Sequence, residues 1–134
     1  DARADGNVHR QALGGEGAAA RKPLEVYLQG HATGDGAHMR RAFLPTAHIE
    51  GIRDGKFLSW TADEYIAGFK GKPPADEAQR KRWIDSIDVS GNAAMARVTL
   101  DYPSGTFTDY FVLLQTQDGW KIANKAFVGQ PTQA

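Results

Sequence analysis

The chain has 134 residues, 41% of them hydrophobic and 10% aromatic, enough for one domain that buries a core without covalent staples. Sixteen lysines and arginines balance sixteen aspartates and glutamates, so no net charge favours nucleic acid or an anionic membrane surface. The absence of cysteine excludes disulfides, thiolate catalysis and cysteine-ligated zinc.

Residues 1–17 hold four glycines and no hydrophobic periodicity, which predicts a flexible N-terminal segment. From Ala18 the pattern turns helical: Leu24, Tyr27, Leu28 and His31 recur at i, i+3, i+4 and i+7 on one stripe. Pro23 is tolerated only in a first turn, so the helix is expected to begin near Lys22 and to stop at Gly34. Asp35 caps a second, short helix that buries Met39, Ala42 and Phe43 and ends at Pro45. Residues 47–53 read as a strand, Asp54-Gly55 as a tight turn and 56–60 as the returning strand. Thr61-Ala62-Asp63-Glu64 is a capping box, with Trp60 and Tyr65 at the two positions of a hydrophobic staple. That third helix is expected to run through Phe69 to Gly71.

Strands follow at 81–89, 93–102, 107–115 and 120–128, separated by Ser90-Gly91-Asn92, Pro103-Ser104-Gly105 and Asp118-Gly119. In the second of these, Ala94, Ala96, Val98 and Leu100 alternate with Arg97, Thr99 and Asp101. The last two strands are apolar on both faces, which implies a core or pocket on one side and a cover, such as a second subunit, on the other. Arg80-Lys81-Arg82 is a basic cluster compensated by Asp76, Glu77 and Asp85. The fold class is therefore α+β: three helices from the N-terminal half packed on a strongly curved, mostly antiparallel sheet that encloses a pocket. Residues 18–130 form the single domain and 131–134 a tail. No apolar run approaches the ~20 residues of a membrane-spanning helix. No signal peptide is recognisable, and a start at Asp1 leaves cytoplasmic and exported settings both open.

The segments YLQGHATGD at 27–35, RRAFLPTAHIEGIRDGKFLSWTADEYI at 40–66 and FTDYFVLLQTQDGWKIANKAF at 107–127 carry a resemblance in their order and spacing. Over residues 18–130 the chain resembles the nuclear transport factor 2-like (NTF2-like, cystatin-like) superfamily of cone folds. It is most similar to the bacterial putative lumazine-binding, SnoaL-like subgroup. That label implies a pterin-like ligand. The superfamily includes ketosteroid isomerases, polyketide cyclases, dehydratases and noncatalytic binding or dimerisation modules, so fold alone does not choose a function. By resemblance to the isomerases, Tyr27 falls at an oxyanion-hole tyrosine and Asp109 at a neutral aspartic acid of the same hole. The general base of that pattern, eight residues after Phe43, falls at Gly51, which has no proton acceptor to offer. Glu50 is adjacent, but strand alternation points it to the opposite face.

The candidate ligand-binding residues are Tyr27, His31, Asp109, Phe111, Lys125 and Phe127, with His31, Tyr27 and Asp109 the candidates for any catalytic role. Held alone in an apolar site Asp109 is a neutral donor, but with Lys125 available across the last hairpin the pair is expected, which keeps Asp109 a charged carboxylate. Asn124 and Lys125 point to opposite faces of a regular strand. A three-residue loop at Gln117-Asp118-Gly119 sets Phe111 opposite Lys125, and a two-residue turn sets Val112 there. Trp83, Tyr102 and Phe107 are further aromatics on which a pocket would draw. No histidine spacing makes a metal site, and no cofactor is expected. The reading is a homodimer, paired through its sheet face, that binds a small apolar or planar ligand without chemistry. The alternatives are an isomerase, cyclase or dehydratase with His31 as base, and an interaction module with no ligand.

Overall fold

The computed structural model describes Arg10, Gln11 and residues 15–131. Most of the expected N-terminal segment and the last three residues of the tail lie outside them.

Helix α1 spans Gly15–Thr33, α2 Gly36–Arg40 and α3 Ala62–Ile66. The strands are β1 (Arg10–Gln11), β2 (Phe43–Arg53), β3 (Lys56–Thr61), β4 (Lys81–Ser90), β5 (Ala93–Tyr102), β6 (Gly105–Thr116) and β7 (Gly119–Pro131). A single 3-10 turn at Glu77–Gln79 precedes β4. The sheet order is β1-β4-β5-β6-β7-β2-β3, open at both edges, with only the β2–β7 pair parallel. The three helices pack on this curved sheet, α1 across β4 and β7, α3 on β2 and β3. The α+β class expected from the sequence is the one observed.

Four boundaries differ from expectation. Helix α1 begins well before Pro23, which lies inside it and is buried. The alanine run at 18–20 favours helix strongly enough to carry the missing proline N–H, and Ala20 extends the buried stripe of Leu24 and Tyr27 upstream. Helix α2 stops at Arg40, so Phe43 belongs to β2 and Pro45 lies within that strand. Pairing with β7 is interrupted between Phe43 and His48, an irregular stretch in which a proline costs no ladder bond. Helix α3 ends at Ile66, where Gly68 and Phe69 donate to the carbonyls of Tyr65 and Ile66 in a tightened last turn. At the other end the capping box is complete, Thr61 and Glu64 each accepting the other's backbone N–H.

Gly34 does end α1. Its φ of 72° is the left-handed cap, and its N–H donates to the Gly30 carbonyl at 2.9 Å. A Cβ there would lie 1.9 Å from the Lys72 carbonyl oxygen. The same approach lets Gly71 donate to the Gly34 carbonyl, tying the loop after α3 to the start of α2.

The register of the last hairpin follows neither simple alternative. Thr116 pairs with Gly119 across a two-residue turn at Gln117-Asp118, yet Phe111 sits opposite Lys125. A bulge at Ala123 absorbs the difference, because Val112 pairs with Asn124 and Leu113 with Ile122. Trp120 and Ile122 face the core before the bulge, and Lys125 and Phe127 face it afterwards. Without that extra residue Asn124 would turn inward and Lys125 outward. Asn124 is exposed, its Oδ1 accepting the His48 N–H.

Candidate functional site

A cavity of about 400 Å³ opens on the concave face of the sheet, walled by α1, α3 and strands β2, β3, β5, β6 and β7. Its wall is mostly aromatic: Trp60, Tyr65, Phe69, Tyr102, Phe107 and Phe127. Trp60 stacks on Phe127 with centroids 5.8 Å apart and planes 19° from parallel. Polar groups are few, and three of them, His31, Asp109 and Lys125, gather at one end.

These three belong to one buried network. The stripe of α1 carries Tyr27 and His31 one turn apart, their rings edge to face at 4.7 Å. The inward face of β6 supplies Asp109, and the bulge in β7 supplies Lys125 directly across Phe111. The Lys125 ammonium donates to the Tyr27 hydroxyl at 2.8 Å and to the Tyr65 hydroxyl at 3.2 Å. Tyr27 in turn donates a hydrogen bond to Asp109 Oδ2 at 2.5 Å, and Lys125 Nζ lies 3.6 Å from the same oxygen. Tyr65 Oη and His31 Nε2 are 2.9 Å apart. One proton is shared along that contact, and the tautomer of the imidazole decides which of the two groups donates it.

The environment fixes these protonation states. Burial, and then the negative charge of Asp109, push the Tyr27 phenol well above its ordinary range. Burial, and then the cations Lys125, Arg82 and Arg80, hold His31 well below its ordinary value, so its ring is neutral at pH 7. Burial opposes the Lys125 ammonium, but the oxygens of Tyr65 and Asp109 outweigh it and its pKa is raised. The pairing of Asp109 with Lys125 expected from the sequence is thus present. Tyr27 and Phe111 stand one layer behind the cavity wall, in edge-to-face contact at 5.0 Å, while His31, Asp109, Lys125 and Phe127 lie on it.

Gly51 pairs with Phe127 across β2 and β7, and the Phe127 ring covers it. A Cβ at Gly51 would meet that ring at 2.6 Å, so the position holds neither a base nor room for one. Glu50 points to the other face, where its carboxylate accepts from the Ser59 hydroxyl at 2.9 Å. Trp83 is also off the wall, 42% exposed, its indole N–H donating to Asp85.

Sequence reasoning did not select Tyr65, Trp60 or Arg53 for the site. The first two were accounted for by the helix cap they flank. Nor was the whole basic cluster a solvated face. Arg80 lies 4.0 Å over the Tyr102 ring, and Arg82 donates to the Tyr102 hydroxyl at 2.9 Å while forking onto Glu77 at 2.7 and 2.8 Å. That clasp fixes the ring of a cavity residue from behind. Among the described residues no cluster of three or more histidines, aspartates or glutamates is placed to hold a metal ion, and no helix is long and apolar enough to cross a membrane.

A family model described as putative lumazine-binding matches residues 16–128. Among solved structures, an NTF2-like protein of unknown function from Shewanella baltica is 28% identical with a TM-score of 0.76, covering 86% of this chain and 94% of that one. Another, from Silicibacter pomeroyi, is 27% identical with a TM-score of 0.74, covering 84% and 94%. A ketosteroid isomerase-like protein from Erwinia carotovora is 14% identical with a TM-score of 0.64, covering 90% and 100%, a likeness of fold alone. A comparison with curated proteins gives no match.

Proposed function

Because the chain belongs to the putative lumazine-binding family, within the NTF2-like superfamily, we propose that it binds a small planar molecule in the aromatic cavity and does not transform it. The observation that carries this reading is the division of the wall. Flat apolar rings line most of it, and a compact polar group at one end offers orientation. His31, Asp109 and Lys125 would meet the polar edge of the ligand, with Phe127 and Trp60 against its face and Tyr27 and Phe111 supporting from behind.

The proton inventory argues against proton-transfer chemistry. The Tyr27 proton is engaged by Asp109, and Tyr65 is hydrogen-bonded to His31. An oxyanion needs a donor aimed at it, and the Tyr27 phenol has none to spare. His31 Nε2, the candidate base, is already hydrogen-bonded within the protein, and Gly51 lies beneath a ring.

The test is a thermal-shift and fluorescence titration with lumazine, flavins, steroids and aromatic polyketides, followed by mass spectrometry of the recovered ligand. A ligand at a hundred times its Kd stabilises the fold by ~2.7 kcal/mol. Binding should quench Trp60, the one tryptophan on the cavity wall, and return the ligand unchanged. Turnover that is lost in His31→Ala would replace this reading with the isomerase or cyclase one, and no shift from any compound would leave an interaction module.

The convex face of the sheet supports a second copy of the chain as partner. All three helices lie on the other side, and Met95, Tyr110 and Val112 are 59%, 50% and 50% exposed together around a groove.

A further inference from the structure

The cavity does not end at its aromatic wall. A second cavity of about 440 Å³ adjoins it, and Arg53, Phe107 and Phe127 line both. These three residues stand where the two meet, an inner chamber against α1 and α3 and an outer one at the strand ends. The outer chamber is built from the ends of β2, β6 and β7 and is more polar, with Asp54, Ser104 and Gln130 on its wall. The Arg53 guanidinium stands 5.6 Å from the Phe127 ring centroid, and Arg53 is exposed.

The charges along this path are unevenly satisfied. Lys125 is paired with Asp109 at the closed end of the inner chamber. Glu64, on the inner wall, accepts the Thr61 N–H at the start of α3, where the helix end offsets its charge. Asp54 borders only the outer chamber. Arg53 has no ion pair with any carboxylate among the described residues, and it lines both chambers.

We infer that the ligand is a planar ring bearing an anionic substituent, with the ring between Trp60, Phe127 and the polar end of the inner chamber and the anion on Arg53 where the chambers meet. This rests on the cavity-binding reading above and adds the charge of the ligand and the residue that selects it. A guanidinium held over an aromatic face keeps its N–H fork free for a carboxylate or a phosphate, either of which satisfies the same chemistry.

Isothermal titration with 2-naphthoate and its neutral isostere 2-naphthamide separates the two claims. The intact protein should bind 2-naphthoate about tenfold more tightly than the amide, the size of one charge-assisted hydrogen-bonded contact. In Arg53→Gln the ratio of the two affinities should fall to about one, and Arg53→Lys should retain part of it. The ratio should also shrink between low and high salt. An amide that binds as well as the acid, or a preference for the acid that survives Arg53→Gln, overturns the assignment of the anion while leaving cavity binding intact. Failure of both compounds to bind overturns the cavity reading and the inference with it.

Discussion

Lys125 is the residue on which the buried network turns, since it touches two phenols and a carboxylate within a largely apolar core. Removing one member of a buried pair leaves the other charge uncompensated, which costs about 3–5 kcal/mol. Lys125→Met should therefore destabilise the fold by that amount in urea unfolding. The double variant Lys125→Met with Asp109→Asn should recover much of the loss, because an asparagine at 109 still accepts the Tyr27 proton without carrying charge. His31 supplies a pH dependence. Its folded pKa is depressed, so below pH ~6.5 the unfolded chain takes up a proton that the native chain refuses. Stability then falls with pH by up to ~1.4 kcal/mol per unit from this one group. His31→Asn, whose amide can keep a hydrogen bond to Tyr65, should flatten the slope between pH 7 and 5. The raised values of Tyr27 and Lys125 act at the other end: above pH ~10 the unfolded chain releases protons that the native state keeps, and stability declines again.

At the scale of elements, the parallel contact between β2 and β7 shapes the cavity, and Gly51 is what permits it. The Phe127 ring occupies the space a side chain at 51 would need. Gly51→Ala should cost about 1–3 kcal/mol through forced repacking, with part recovered in Gly51→Ala combined with Phe127→Leu; chemical denaturation measures both. How much of this was legible in the sequence depended on whether a local signal existed. Hairpins announced by Asp54-Gly55 and Gly91-Asn92, the capping box at Thr61 and the cap at Gly34 could all be read, because each is a backbone requirement met by neighbouring residues. Tyr27 and Asp109 were legible from the helix stripe and the resemblance, and Lys125 only as a candidate whose face the register of β7 left open. The bulge at Ala123 was not, since β7 is apolar on both faces and alternation there has no phase to betray a slip. Tyr65 was hidden for a different reason. Its place beside a cap already explained it, and only the curvature that brings α3 over the β7 lysine gives its hydroxyl two partners.

For the whole molecule the open question is what covers the convex face. An isologous pair places the same patch on both sides, so Met95 and Val112, which are neighbours across β5 and β6, would meet their own copies near a two-fold axis. With sixteen charges of each sign, two chains approach without net repulsion. A specific interface needs about 800 Å² from each partner, and the groove bordered by Met95, Tyr110 and Val112 is the apolar region where such a contact would centre. Analytical ultracentrifugation at micromolar concentration should give twice the chain mass. Met95→Lys with Val112→Lys should give single chains that keep the helical and strand circular dichroism, because both side chains project away from the core. A single-chain mass for the unaltered protein would refute the pairing, and a dimer that survives both lysines would move the interface to another surface. The cavity lies on the opposite side of the sheet, so the monomeric variant should still bind planar ligands. Loss of binding together with the dimer would instead show that the second copy braces β6 and β7, the strands that carry Asp109 and Lys125.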